Sequence, residues 1–213
     1  MSFKKNKYTV LKGALTKEMA DFAFAYFLNK RKVARFLFDH KYISPFTDYW
    51  GVWNDQQVPN TYSVYGDIVM ETLLHGLKEK MEKETGYKLQ ETYAYARIYK
   101  TGDVLHRHKD RYSCEVSTTL NLGGEAWPIY LEPSGKKGMA GIKVDLEPGD
   151  MLLYSGCELE HWRDAFPGKD CGQVFLHYND RTKKTAKENI YDRRPFLGLP
   201  PWFQGFKLPP TKK

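Results

Sequence analysis

Cysteine is scarce in this chain. Cys114, Cys157 and Cys171 are the only three in 213 residues, an odd number too small for a disulfide framework. Free thiols in a reducing compartment are therefore expected. Long hydrophobic runs are missing as well. The segment at 20–28 is far shorter than the roughly 20 apolar residues that span a bilayer, so no membrane partner is expected. The first residues, MSFKKNKYTV, carry charge with no apolar stretch behind them, which reads as no secretory leader and a cytoplasmic location. There is no internal repeat, no phosphate-binding glycine loop, no CxxC pair and no Ser-His-Asp order. Hydrophobic residues at 41% and charged residues at 28% rule out disorder of the whole chain.

What is present suffices for one domain of 1–213, since domains run to roughly 100–200 residues. Its parts are a helical support region (1–90), a strand-rich core (91–180) and a basic tail (181–213). The tail holds nine Lys or Arg against two acids, which accounts for the whole net charge of +7. Such a tail can attract an acidic partner; the plainer reading is a solvated terminus. It also carries five of the eleven prolines, with Phe196, Trp202, Phe203 and Phe206, so part of it is expected to pack along the body through its rings.

The residues at 17–39 read as a helix with Thr16 as N-cap, and Met19, Phe22, Ala23, Tyr26 and Phe27 at helical spacing. A second helix is expected over 67–84 on Met70, Leu73, Leu74, Leu77 and Met81, stopped by Gly86. From about 92 the period becomes two: Tyr93, Tyr95, Arg97 and Tyr99 share one face, and Ala94, Ala96 and Ile98 the other. Short strand candidates then alternate with turns, one of them at Gly123–Gly124. Many short punctuated strands indicate a sandwich or barrel. Helices first and strands afterwards make the class α+β, with the N-terminal helices backing a sheet.

The chemistry lies in the strand region. His108 and Asp110, two apart on a strand, can converge on one point. His161, 53 residues later, opens another strand candidate and can supply a third ligand. Two histidines and a carboxylate on one face of a metal suit non-haem Fe(II), whereas zinc sites favour three histidines or thiolates. An alternative set is His106, His108 and Asp110, whose outer members would lie roughly 13 Å apart on a strand. Alone, a His-x-Asp tripeptide is weak.

The context strengthens it. Tyr99, Gly102, His108 and Asp110 at Tyr-x2-Gly-x5-His-x-Asp spacing, with the distal His161 ahead of a last hairpin, resemble the 2-oxoglutarate/Fe(II)-dependent oxygenases, in particular the prolyl-4-hydroxylase-like branch. The resemblance covers 93–178. It implies a double-stranded β-helix (jelly-roll) barrel with outer helices, and iron at His108, Asp110 and His161. It further implies 2-oxoglutarate as co-substrate with O2, and ascorbate as a candidate helper. The implied reaction hydroxylates an aliphatic C–H and releases succinate and CO2.

The resemblance also implies a Lys or Arg about ten residues after the distal histidine for the far carboxylate of 2-oxoglutarate. Cys171 stands there. Arg163, on the same strand as His161 and about 6–7 Å further along, is favoured as the substitute over Lys169 in the hairpin turn. Tyr99, Thr119 and Gln173 are candidates to hydrogen-bond the same group. His177 can line the mouth or be structural; His40 and His75 read as structural, and Cys171 as a buried filler.

A prolyl residue of a peptide or protein is the favoured substrate, clamped by aromatics of the 41–65 loop and the tail. A free amino acid or other small molecule is the alternative, and a non-catalytic jelly-roll binding module the next. Nucleic acid is disfavoured because residues 1–180 are charge-neutral, although the basic tail keeps it open. Oligomeric state is not legible.

Overall fold

The structure is a computed structural model and describes residues 3–44 and 46–205. Two of the longer elements form where the local signals place them. Helix α2 (Lys17–Asp39) starts at Thr16, whose side chain accepts from the Met19 N–H. Helix α3 (Ile68–Thr85) starts at Asp67, whose carboxylate accepts from the Val69 and Met70 N–H groups, and ends at Gly86 in the left-handed conformation. Each cap satisfies helix-end groups that would otherwise lack partners. Before α2 lie a short helix α1 (Phe3–Asn6) and a strand β1 (Tyr8–Leu11); strand β2 (Tyr62–Tyr65) precedes α3.

The remaining strands are β3 (Leu89–Lys100), β4 (Leu105–His108), β5 (Val116–Gly124), β6 (Ile129–Leu131), β7 (Ile142–Val144), β8 (Met151–Ser155), β9 (His161–Arg163) and β10 (Asp170–Asp180), followed by helix α4 (Lys184–Glu188). They form two antiparallel sheets, ordered β1-β8-β5-β10-β3-β2 and β4-β9-β6-β7. No strand among the described residues belongs to both sheets, so the closed barrel expected above is not formed by hydrogen bonding. Strands β1 and β2 also break the expected order of helices before strands. Both have only four residues, too short to show a period, and their pairing with β8 and β3 is a long-range event.

Alternation along the strands sorts side chains between two apolar clusters. Met151 and Leu153 of β8 join Ala94, Ala96 and Ile98 of β3 and helix residues Phe27, Met70 and Leu74. Leu152 and Tyr154, pointing the other way, meet Ile129, Leu131 and Val144 of the smaller sheet. The two sheets therefore face each other through the second cluster. Gly123 and Gly124 lie at the paired end of β5, opposite Gly172 and Cys171 of β10, and not in a turn. A Cβ on Gly124 would come 2.1 Å from the Asp170 carbonyl oxygen, so backbone approach, and not chain reversal, requires glycine there.

The tail is pinned by charge, and of its rings Phe203 is half-buried and stacks on Trp202. Phe196 and Trp202 stay exposed, and Phe206 lies outside the described residues. Arg194, fully buried, pairs with Glu71 at 2.5 Å. Asp192 accepts two bonds from Arg111, at 2.8 and 2.9 Å, and one from the Tyr65 hydroxyl at 2.7 Å. Tyr191, Asp192 and Arg193 all adopt positive φ, a strained run that this buried network holds in place. Removing one partner of a buried pair leaves an uncompensated charge. Arg194→Met is therefore expected to lower the unfolding free energy by about 3–5 kcal/mol in urea titration. Glu71→Leu added to it should recover most of the loss.

Candidate active site

Strands β4 and β9 put two imidazoles side by side. His108 pairs directly with His161, and their ring centroids are 4.2 Å apart. Leu105 pairs with Arg163, so β4 carries one more residue than β9 between the two pairs. That bulge turns both Leu105 and His108 inward and leaves His106 exposed. The alternative set with His106 is thereby excluded: strict alternation fails where a residue is inserted.

Asp110 lies just past β4, held by its N–H to the Gly156 carbonyl at 2.9 Å. A Cβ on Gly156 would come 2.5 Å from the Asp110 carboxylate and 2.4 Å from the Cys114 carbonyl oxygen, so only glycine lets the chain pass. Asp110 Oδ1 lies 3.6 Å from His108 Nε2 and 3.5 Å from His161 Nε2. All three ligand atoms fall within 4.8 Å of one another. Each histidine has its Nδ1 on a carbonyl two residues earlier: His108 on His106 at 2.7 Å and His161 on Leu159 at 3.2 Å. A carbonyl only accepts, so each Nδ1 carries a proton and each ring turns its Nε2 toward Asp110. Ser117 donates to Asp110 Oδ2 at 2.7 Å, leaving Oδ1 to face the histidines. Burial alone would raise the Asp110 carboxyl, but the two histidines outweigh it and hold it well below the usual carboxylate range. Two imine nitrogens and a carboxylate, oriented from behind, are a donor set for a divalent metal.

His177 backs the site. It bonds Ser117 Oγ through Nδ1 at 3.0 Å and packs on Tyr93. Burial pulls it down to about 4, so it is neutral at pH 7. The Ser117 proton goes to Asp110, so His177 Nδ1 is the donor.

The site opens into a cavity of about 520 Å³ between the two sheets. Its aromatic wall is Tyr65, Tyr93, Tyr95, Tyr154 and Phe175, from β2, β3, β8 and β10. From the 41–65 segment Tyr65 supplies a ring to the lining, with Val52, Asp55 and Gln57 beside it, and the other rings expected there do not. Tyr42 and Phe46 are exposed, and Trp50 and Trp53 pack on the main core. No residue of the described tail lines the cavity; a loop's side chains follow contacts made after folding, which composition cannot foresee.

Arg163 is buried, 1% exposed, with no acid paired to it among the described residues. It donates to the Trp127 carbonyl and to Thr119 Oγ1, the latter at 3.3 Å, and its Nε has no partner. Burial lowers its tendency to hold a proton. Thr119 in turn donates to Gln173 Oε1 at 3.0 Å, and Gln173 reaches Cys171 Sγ at 3.2 Å. Tyr99 is buried against Trp127 and accepts from Arg97 at 3.0 Å. Lys169 is exposed, as a turn residue would be. Trp127 is core, whereas Tyr130 and Trp162 stack on each other. His75 contacts Glu91 at 3.0 Å, away from the site.

Sequence reasoning missed Asp55, Gln57 and Ser117. Arg97 was placed on the correct face but given no task, although a lone cation among Tyr and Ala in a strand is itself a signal. Arg97 is 2% exposed and donates to Asp55. The Tyr95 hydroxyl also donates to Asp55. Burial would raise the Asp55 carboxyl, but Arg97 and Tyr95 outweigh it and lower it.

No protein-family model matches the chain, and no curated protein matches it. Solved structures do. A prolyl-4-hydroxylase from Pseudomonas putida aligns over 84% of this chain and 95% of its own, at 14% identity and TM-score 0.58. A prolyl hydroxylase from Trichoplax adhaerens, in complex with a peptide fragment of the hypoxia inducible factor oxygen degradation domain, aligns over 86% and 88%, at 15% identity and TM-score 0.59. HygX from Streptomyces hygroscopicus, with nickel and 2-oxoglutarate bound, aligns over 84% and 85%, at 14% identity and TM-score 0.56. The chain thus has the fold of the 2-oxoglutarate/Fe(II)-dependent oxygenases, and the structures similar to it include prolyl hydroxylases of that family.

Proposed function

We propose that this protein is a 2-oxoglutarate- and Fe(II)-dependent dioxygenase, its 213 residues working as one jelly-roll domain, that hydroxylates an aliphatic C–H of a prolyl residue in a peptide or protein. The observation that carries the reading is the convergence of His108 Nε2, His161 Nε2 and Asp110 Oδ1 within 4.8 Å on the wall of a cavity. Iron bound there supplies the oxidative chemistry that side chains cannot, turning 2-oxoglutarate and O2 into succinate, CO2 and one oxygen atom for the substrate. The chain holds the ligands in place through the His106 and Leu159 carbonyls and Ser117. Arg163, a buried cation lacking an acid, receives the far carboxylate of 2-oxoglutarate, with Thr119, Gln173 and Tyr99 as polar neighbours; Lys169, in solvent, does not. The rings of Tyr65, Tyr93, Tyr95 and Phe175 supply flat apolar surfaces of the kind that recognise a proline ring.

The test supplies Fe(II), 2-oxoglutarate, O2 and ascorbate. It follows succinate, and screens prolyl peptides and free amino acids by intact mass for a gain of about 16 Da, one oxygen atom. Peptide hydroxylation coupled to succinate is the expected result. Hydroxylation of a free amino acid alone replaces the substrate class. Absence of both metal uptake and succinate overturns the enzyme reading in favour of a binding module.

A further inference from the structure

Gln57 makes an unusual contact. Its amide nitrogen lies 3.0 Å from His108 Nε2, while its Oε1 accepts from Arg97 Nη2 at 3.1 Å. An amide nitrogen only donates, and His108 Nδ1 already carries its ring proton toward the His106 carbonyl. Gln57 therefore donates to the bare lone pair that faces Asp110 and His161. The orientation of the amide is locked: Arg97 takes its oxygen, and Arg97 is fixed by Asp55 and by the Tyr99 hydroxyl. The N–H2 end has nowhere to face but the ligand side.

We propose that Gln57 is a positioning residue that opposes binding of a bare divalent cation and favours a cation accompanied by a carboxylate. This rests on the reading of His108, Asp110 and His161 as the metal set. One lone pair cannot serve a cation and an N–H at once, so metal binding must break the Gln57–His108 bond. The freed N–H2, still tethered through Oε1 to Arg97, presents the positive end of its dipole to the same face. A cation alone is repelled by it; a carboxylate ligand beside that cation is a hydrogen-bond acceptor for it. Metal affinity and co-substrate affinity are thus pushed in opposite directions by one side chain. A residue that merely supports the fold would move both together or neither.

The test is direct titration of Ni(II), a redox-stable stand-in, into the wild-type protein, Gln57→Leu and Gln57→Glu, followed by titration of 2-oxoglutarate into each Ni(II)-loaded protein. Gln57 is exposed and outside any strand or helix, so the variants should fold. Loss of one ordinary hydrogen bond corresponds to a change of about threefold to tenfold. Gln57→Leu is expected to bind Ni(II) tighter by that factor and 2-oxoglutarate weaker by a similar one. Gln57→Glu should bind the metal tighter still and the co-substrate weaker still, because its charge attracts one and repels the other. Unchanged or weakened Ni(II) binding by Gln57→Leu overturns the proposal, as does a gain for the metal with no loss for 2-oxoglutarate. Failure of all three proteins to take up Ni(II) overturns the metal reading, and this proposal with it.

Discussion

Asp110→Ala is expected to reduce divalent-metal affinity by more than about a hundredfold and to abolish succinate formation. Losing a partner one layer out from a metal typically costs 10–100-fold in affinity, and Asp110 would be a direct ligand and the set's only negative charge. Its Oδ1 stands at nearly equal distances from both imidazoles, and Ser117 and the Gly156 carbonyl leave it no other place. Alanine leaves two imidazoles facing each other across 4.2 Å with no carboxylate between them. Calorimetric titration with Ni(II) and a succinate assay check the two halves. Metal binding retained within a factor of about ten would mean that the cluster is not the metal site.

Arg163→Met is expected to move stability and co-substrate affinity in opposite directions. Arg163 is a cation over the Trp127 ring and paired along the sheet with Leu105, with Thr119 and one backbone carbonyl as its hydrogen-bond partners. An unneutralised buried charge is costly, and replacing buried ionic groups by well-packed apolar side chains is often stabilising by about 1–4 kcal/mol. Methionine, flexible and of similar length, should therefore raise the unfolding midpoint of the free protein. If the cation exists to receive a carboxylate, removing it costs about 2–5 kcal/mol of that pair, so 2-oxoglutarate should bind at least about 30-fold more weakly. Thermal unfolding and 2-oxoglutarate titration of the Ni(II)-loaded protein measure the two. A more stable variant with unchanged 2-oxoglutarate affinity would assign the anchor elsewhere. The effect of Arg163 is opposite in sign to that expected for Arg194. Both are buried, but Arg194 already has its carboxylate, Glu71, within the fold.

What could be read from the chain in advance follows the range of the forces involved. Thr16 and Gly86 mark helix ends because capping is settled within four residues. The alternation of Tyr93, Tyr95 and Arg97 with Ala94, Ala96 and Ile98 sorts cavity wall from core because strand geometry alone dictates it. The grouping of His108 with Asp110 and the distal His161 was legible through spacing and family resemblance together. The same rule of alternation misled at His106, where a bulge set by pairing with β9 overrides it. It was silent on Asp55 and Gln57, which sit in a loop without periodicity. The tail's rings suggested apolar packing; the buried ion network that also holds it was not legible, since Glu71 and Arg194 are 123 residues apart and neither announces its partner.

By itself the sequence determined the helix ends, the facing of β3 and the candidate grouping of His108, Asp110 and His161. All of these depend on covalent spacing and local backbone geometry, which a short stretch of chain contains in full. The tertiary structure alone decided which histidine points inward, that Arg163 lacks a counter-ion, and that Gln57 reaches His108. Each depends on the approach of segments far apart along the chain, and burial and charge pairing exist only once those segments meet.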